Sequence, residues 1–133
     1  MVPPPRYPSA PEPSGSLEVR TTAEATVVVA AGDLDLAVTD DLAALLDREI
    51  RRRPAALVVD ASAVTFCAAR VLTILVDATA DAVLHRVPFA VAGRSRALLR
   101  PIAVLGLDRV LPVHRDTREA LAWLAAIPLL TER

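Results

Sequence analysis

The stretch "LVVDASAVTFCAARVLTILV", from Leu57 to Val76, decides the fold. The apolar run at its start, which ends at Asp60, is typical of a buried strand. From Ala68 onward the apolar side chains recur at helical spacing, which predicts a helix to about residue 85. The connection between them carries Cys67 and leads directly into a helix N-terminus. Such connections are often functional sites in small α/β proteins.

The residues before this stretch predict two strands and a helix. "LEVRTT", from Leu17, alternates apolar and polar side chains, and "ATVVVAAG" is a continuous apolar run, so an antiparallel hairpin is expected around Ala23–Glu24. "GDLDLAVTDDLAALLDREIRRR" predicts a turn and then a helix with its N-cap at Thr39 or Asp40, ended by Pro54.

The residues after it continue the alternation of strands and helices. "VPFAVAG" predicts a buried strand ending at Gly93, and a helix starting at Ser95 is expected to kink or split at Pro101. "RVLPVH" predicts a short edge strand, and a last helix is expected to begin with a capping box formed by Asp116 and Glu119. The order β-β-α-β-α-β-α-β-α predicts an α/β fold: a small mixed sheet, an N-terminal hairpin and about four helices.

The composition divides the chain and excludes several functions. Residues 1–16 are rich in Pro and Ser and are expected to be a disordered tail, followed by one domain over 17–127 and a C-terminal tail over 128–133. A net charge of -1 argues against a nucleic-acid partner. With no apolar run of roughly 20 residues, no membrane association is expected, and a cytoplasmic location is predicted. One cysteine and two histidines suggest no metal and no cofactor.

Three phrases in the right order carry a family resemblance: "VVVAAGDLDL" (Val27–Leu36), "LVVDASAVTF" (Leu57–Phe66) and "GLDRVLPVHRDTREAL" (Gly106–Leu121). The chain from Leu17 to Ala126 resembles a STAS domain of the bacterial anti-sigma factor antagonist type. The resemblance implies a non-enzymatic, STAS-like module that regulates transcription by binding an anti-sigma factor or a related regulatory protein. The sequence also leaves open that the chain forms a homodimer.

The connection after Phe66 departs from the family pattern. STAS antagonists usually have apolar-Asp-Ser-Ser-Gly there, and an anti-sigma kinase phosphorylates the first Ser. In this chain the sequence continues "CAARV", so Ala69 stands at the phosphoacceptor position. Alanine has no oxygen to modify, and binding is therefore predicted not to be controlled by phosphorylation at this degenerate site. Three further hydroxyls stay open as substitute acceptors: Ser62, Thr65 and Thr73.

The resemblance places the partner-binding surface on this connection, the following helix and the nearby "GDLD" turn. The predicted contact residues are Asp33, Asp35, Cys67, Ala69, Arg70, Thr73, Ile74 and Asp77. A helical wheel puts Ile74 and Leu84 on the outward face and Val83 toward the sheet. Arg70 near the positive end of the helix dipole is mildly unfavourable unless an acid lies close, and the candidates are Asp33, Asp35, Asp60 or an acid of the partner.

Cys67 has two interpretations. Its place just before a helix, near Arg70, predicts a lowered thiol pKa and a redox-sensing or intermolecular-disulfide role. The alternative is a small buried hydrophobe.

Two functions of different kind fit the whole pattern. The leading one is the anti-sigma factor antagonist, and the alternative is a ligand-sensing or transport-accessory STAS domain without a sigma-factor link. An enzyme is not expected, because no nucleophile–base pair is recognisable in the sequence.

Overall fold

The computed structural model describes residues 15–126. The strands and helices alternate along the chain as the sequence predicts. In order they are β1 (Gly15–Thr21), β2 (Thr26–Leu34), α1 (Leu36–Arg51), β3 (Leu57–Cys67), α2 (Ala69–His85), β4 (Phe89–Ala92), α3 (Arg96–Val104), β5 (Val113–His114) and α4 (Thr117–Ala126). The predicted tails lie wholly or mostly outside the described residues, and β1 begins at Gly15, ahead of the expected start at Leu17.

The strands form one five-stranded sheet in the order β1-β2-β3-β4-β5. β1 is antiparallel to β2, and the remaining neighbours are parallel. The β1–β2 turn lies where it is predicted, closed by a hydrogen bond from the Thr22 N–H to the Ala25 carbonyl at 2.8 Å. The mixed sheet with an N-terminal hairpin is thus confirmed.

Helices cover both faces of this sheet. Leu57 and Val59 of β3 share a core with apolar residues of α1, α2 and α3. Val58, between them, packs instead with Ala120 and Leu124 of α4. Successive strand residues point to opposite faces. Therefore α1, α2 and α3 lie on one side of the sheet and α4 lies on the other.

The first helix begins earlier than the sequence predicts. Asp35 is its N-cap, and the Asp35 carboxylate accepts a hydrogen bond from the Ala37 N–H at 3.0 Å. The predicted cap at Thr39 or Asp40 is wrong. Thr39 is buried within the helix and its hydroxyl donates to the Leu36 carbonyl. The first turn of α1 therefore occupies residues that the sequence assigns to the preceding turn.

β3 is much longer than its apolar run. It pairs with β4 only as far as Asp60 and then continues beside β2 alone, to Cys67. The predicted end at Asp60 is therefore wrong. Two register shifts in the β2–β3 ladder accompany this extension, between Val29 and Ala31 and between Gly32 and Asp33 of β2, and each places one extra residue in β3. A strand segment with one neighbour is more open to solvent, so polar side chains are tolerated there.

The last third of the chain is fastened to this extension. The Ser95 hydroxyl caps α3 by accepting from the Ala97 N–H, and it donates to the Val64 carbonyl at 2.6 Å. Pro101 lies inside α3 without splitting it. At α4, Asp116 accepts from the Glu119 N–H as expected, but the Glu119 carboxylate accepts from the N–H of residue 115 instead of that of Asp116.

Candidate partner-binding surface

The carboxyl ends of β2 and β3 meet at one corner of the sheet. Asp33 lies beside Phe66 and Leu34 beside Cys67 in the parallel register. A single residue, Ala68, then separates β3 from α2, and its N–H donates to the Leu34 carbonyl at 3.0 Å. The connection that carries the degenerate motif is thus a tight, hydrogen-bonded corner.

The two acids of the "GDLD" turn have different roles at this corner. The Asp33 carboxylate accepts a hydrogen bond from the Thr65 hydroxyl at 2.6 Å, which ties the end of β2 to the end of β3. Both side chains are exposed. Asp35 instead caps α1. Asp33 and Thr65 therefore form part of the accessible surface, whereas the Asp35 carboxylate acts on its own helix.

Arg70 has an acidic neighbour, but not one of those expected. Its guanidinium Nη2 lies 3.1 Å from the Asp40 carboxylate, and the two side chains are 48% and 88% exposed. The expected pairing with Asp33, Asp35 or Asp60 is wrong. Because α1 starts at Leu36, Asp40 lies in the first turns of that helix, beside the start of α2. The ion pair links the N-terminal ends of α1 and α2.

Two large apolar side chains flank these polar contacts. Phe66 is 50% exposed and Leu36 is 70% exposed. Phe66 adjoins Thr65 in β3, and Leu36 is the first residue of α1. Neither is among the predicted contact residues. The available signal is the family phrase ending in Phe66, but a Phe at the end of an apolar strand is usually assigned to the core.

A groove of about 470 Å³ runs between α1 and α2 and continues from this corner. Arg70, Thr73 and Asp77 line it, together with Asp81 and Leu84. Ile74 lies at its floor and is only 6% exposed.

The outward orientation predicted for Ile74 is wrong, because α1 packs over that side of α2. Val83, predicted to face the sheet, is 72% exposed, while Leu84 is exposed as expected.

Cys67 is the last residue of β3 and is half-buried. Burial raises the pKa of its thiol to about 11, since an apolar surrounding disfavours the thiolate. The predicted lowering of this pKa is wrong. The Cys67 sulfur lies 3.8 Å from the Ala68 carbonyl oxygen. At neutral pH the thiol is protonated, as is usual for a cysteine that packs as a small hydrophobe.

Within residues 15–126, no three His, Cys, Asp or Glu side chains are grouped closely enough to hold a metal ion. Over the same range, no helix is long and apolar enough to cross a membrane.

Comparison with known families identifies the domain to which this fold belongs. A family model described as "Mlab, STAS domain" matches residues 17–112. The chain belongs to the STAS-domain family. Both the resemblance found in the sequence and the predicted fold class are thereby confirmed.

Relatives of this STAS domain are anti-sigma factor antagonists. The anti-sigma-F factor antagonist RsfB of Mycobacterium tuberculosis is 33% identical over 90 residues, which cover 68% of this chain and 73% of RsfB. The crystal structure of an anti-sigma factor antagonist from Mycobacterium paratuberculosis superposes with a TM-score of 0.73 at 28% identity, over 84% of this chain and 95% of that one.

A more distant structure shares the fold. A variant of RsbS from Moorella thermoacetica has a TM-score of 0.71 at 22% identity, over 85% of this STAS domain and 97% of RsbS.

Proposed function

We propose that this STAS domain is a non-enzymatic antagonist that binds an anti-sigma factor in the cytoplasm. The proposal places the contact on the corner surface, defined here as Asp33, Leu36, Thr65, Phe66, Ala69 and Arg70, with the groove between α1 and α2 beside it. Its kinship with anti-sigma factor antagonists supports the partner class. The observation that carries the choice of surface is the exposure of Phe66 beside the hydrogen-bonded Asp33–Thr65 pair.

The corner surface combines an exposed aromatic side chain with charged ones. An exposed aromatic ring loses contact with water when a partner covers it, and aromatic residues are enriched in the centres of protein interfaces. Around Phe66, the Asp33 carboxylate and the Arg70 guanidinium provide polar groups that fix orientation. The combination of an apolar centre and a polar rim is typical of a protein contact.

Binding at this surface is proposed to be independent of phosphorylation at Ala69. This residue is exposed and forms the first position of α2, where free backbone N–H groups would favour a phosphate. Its methyl group offers no atom to phosphorylate. Position 69 therefore keeps one charge state, and control is proposed to act through another residue or through the amount of protein.

The first experiment identifies the partner and tests the surface. The full chain is used to capture proteins from the source cell, with and without reductant, and the captured anti-sigma factor is then titrated by calorimetry against variants. Phe66→Ser and Arg70→Glu are each expected to weaken binding by about tenfold or more. Val104→Ser is the matched control, because Val104 is 77% exposed on α3, away from the corner.

Two results would contradict the proposal. If both corner variants fold and bind the anti-sigma factor with unchanged affinity, the corner surface is not the binding site. Capture of transport subunits in place of an anti-sigma factor would favour the transport-accessory alternative.

A second experiment tests whether an anti-sigma kinase can phosphorylate this connection. The chain is incubated with an anti-sigma kinase and ATP, and phosphate is mapped by mass spectrometry. No phosphate is expected on residues 67–71, whereas the variant Ala69→Ser supplies a hydroxyl at the family's acceptor position. Phosphate on residues 67–71 of the parent chain would refute the proposal that phosphorylation of this segment does not control binding.

A further inference from the structure

A second candidate surface lies at the outer edge of β1. This seven-residue strand is at one end of the sheet, and no strand within residues 15–126 pairs with its outer side. Since Thr22 donates to Ala25 across the hairpin, the alternation of antiparallel pairing turns the N–H and C=O groups of Leu17, Val19 and Thr21 outward. An uncovered strand edge is a ready template for another strand.

The outer face of α1 lies directly beside this edge. A groove of about 470 Å³ separates them, lined by Leu17 and Val19 from β1 and by Val38 and Leu45 from α1. Leu17, Val19 and Leu45 are only half-buried. The groove is therefore apolar at its base, and a chain that extended the sheet would also cover it.

The charges on both elements are arranged symmetrically. On β1, Glu18 and Arg20 lie on either side of Val19 and share the face away from α1. On α1, Asp41 and Arg48 border the same groove two helical turns apart, with Ala44 and Leu45 between them. On β1 the acid and the base thus lie one residue to either side of Val19, and on α1 they lie equally far to either side of the Ala44–Leu45 pair.

We propose that the chain forms a homodimer in which a second copy extends the sheet through its own β1. A two-fold axis at Val19 places Glu18 of one copy opposite Arg20 of the other. Because α1 runs in the same direction as β1, the same axis makes the two α1 helices antiparallel. Asp41 of each copy then faces Arg48 of the other. A two-fold interface requires such self-complementarity, and the charges satisfy it on both layers.

This dimer leaves the corner surface free, since none of the six residues that define that surface lies on β1 or lines the groove beside it. The dimer and the proposed binding of an anti-sigma factor can therefore fail independently.

The test uses charge reversal on α1, measured by sedimentation equilibrium of the full chain over a wide concentration range. Asp41→Arg creates two like-charge contacts per dimer, and Arg48→Asp does the same. Each single variant is expected to weaken dimerisation by about tenfold. The double variant Asp41→Arg/Arg48→Asp restores opposite charges and is expected to return to within about threefold of the parent.

The matched control is Asp108→Arg, an exposed acid between α3 and β5 that lies outside this face and outside the corner surface. Circular dichroism of each variant verifies the fold. A parent chain that stays monomeric up to about 1 mM would overturn the proposal. A dimer that withstands both single reversals, or that the double variant does not restore, would overturn it as well.

Discussion

Gly93 directly follows β4 and lies against the extended part of β3, and replacing it with alanine should be severely destabilising. Its φ is +104°, a backbone conformation that residues with a side chain rarely adopt. A Cβ built at this position would lie 2.3 Å from the Ser62 nitrogen and 2.7 Å from the Ser62 Cα. Both contacts are with backbone, so no side-chain rotation can relieve them. The Gly93 N–H also donates to the His114 carbonyl at 2.9 Å, which holds the glycine between β3 and β5.

The expected loss in Gly93→Ala follows from two costs. Holding alanine at positive φ costs about 1–2 kcal/mol. Moving β4 away from Ser62 to make room costs about 1–3 kcal/mol more, by analogy with overpacked cores. The sum, about 2–5 kcal/mol, is a large part of the roughly 5–15 kcal/mol by which domains are stable. In urea unfolding followed by circular dichroism, the midpoint should fall by roughly 1–3 M.

Gly106 provides the matched control. Its φ is +68°, but a Cβ there would meet no atom within 4 Å. Gly106→Ala is therefore expected to show only the backbone cost of about 1–2 kcal/mol. If the two variants lose the same free energy of unfolding, the close approach to β3 is not the reason that position 93 requires a glycine.

The helix cap, the ion pair and the thiol give three further predictions. Asp35→Ala should destabilise the domain by about 1 kcal/mol in urea unfolding, and Asp35→Ser should recover most of this; no difference between the two would argue against the cap. Asp40→Ala should cost less than about 1 kcal/mol, because its ion pair with Arg70 is exposed, and a much larger loss would show that the pair is structural. Cys67 should react with iodoacetamide about 100-fold more slowly in the folded chain than in the unfolded one, since its pKa rises from 9.0 to about 11. The unfolded thiol ionises first, so the Cys67 contribution should make stability fall as pH rises from 9 toward 11; equal reactivity in both states would exclude the raised pKa.

The order of strands and helices is predictable because each element carries its own hydrophobic period. Most of the misplaced boundaries depend on neighbours that are distant in sequence. β3 continues past Asp60 because β2 pairs with it there. Residues 61–67 do not form a continuous apolar run, so the local sequence alone does not predict that the strand extends through them. The cap at Asp35 is hidden in the sequence because Leu36 and Ala37 look like part of a turn, although they form the first turn of α1.

The candidate site is predictable in its location and less so in its contacts. The family phrase places the corner correctly, and Ala69 and Arg70 are exposed there. The helical wheel for α2 assumes that only the sheet covers the helix. Since α1 also packs on it, Ile74 is buried and Val83 is exposed. The Arg70–Asp40 pair is not visible in the sequence because it depends on how α1 and α2 lie against each other.

Ala68, the only residue between β3 and α2, has a consequence for the thermodynamics of any contact made at the corner. Its N–H is already bonded to Leu34, so the backbone entropy of this turn is lost when the chain folds and not when a partner arrives. Association at such a preorganised site can proceed without a slow rearrangement step. Differences in affinity among variants should then appear mainly in dissociation rates.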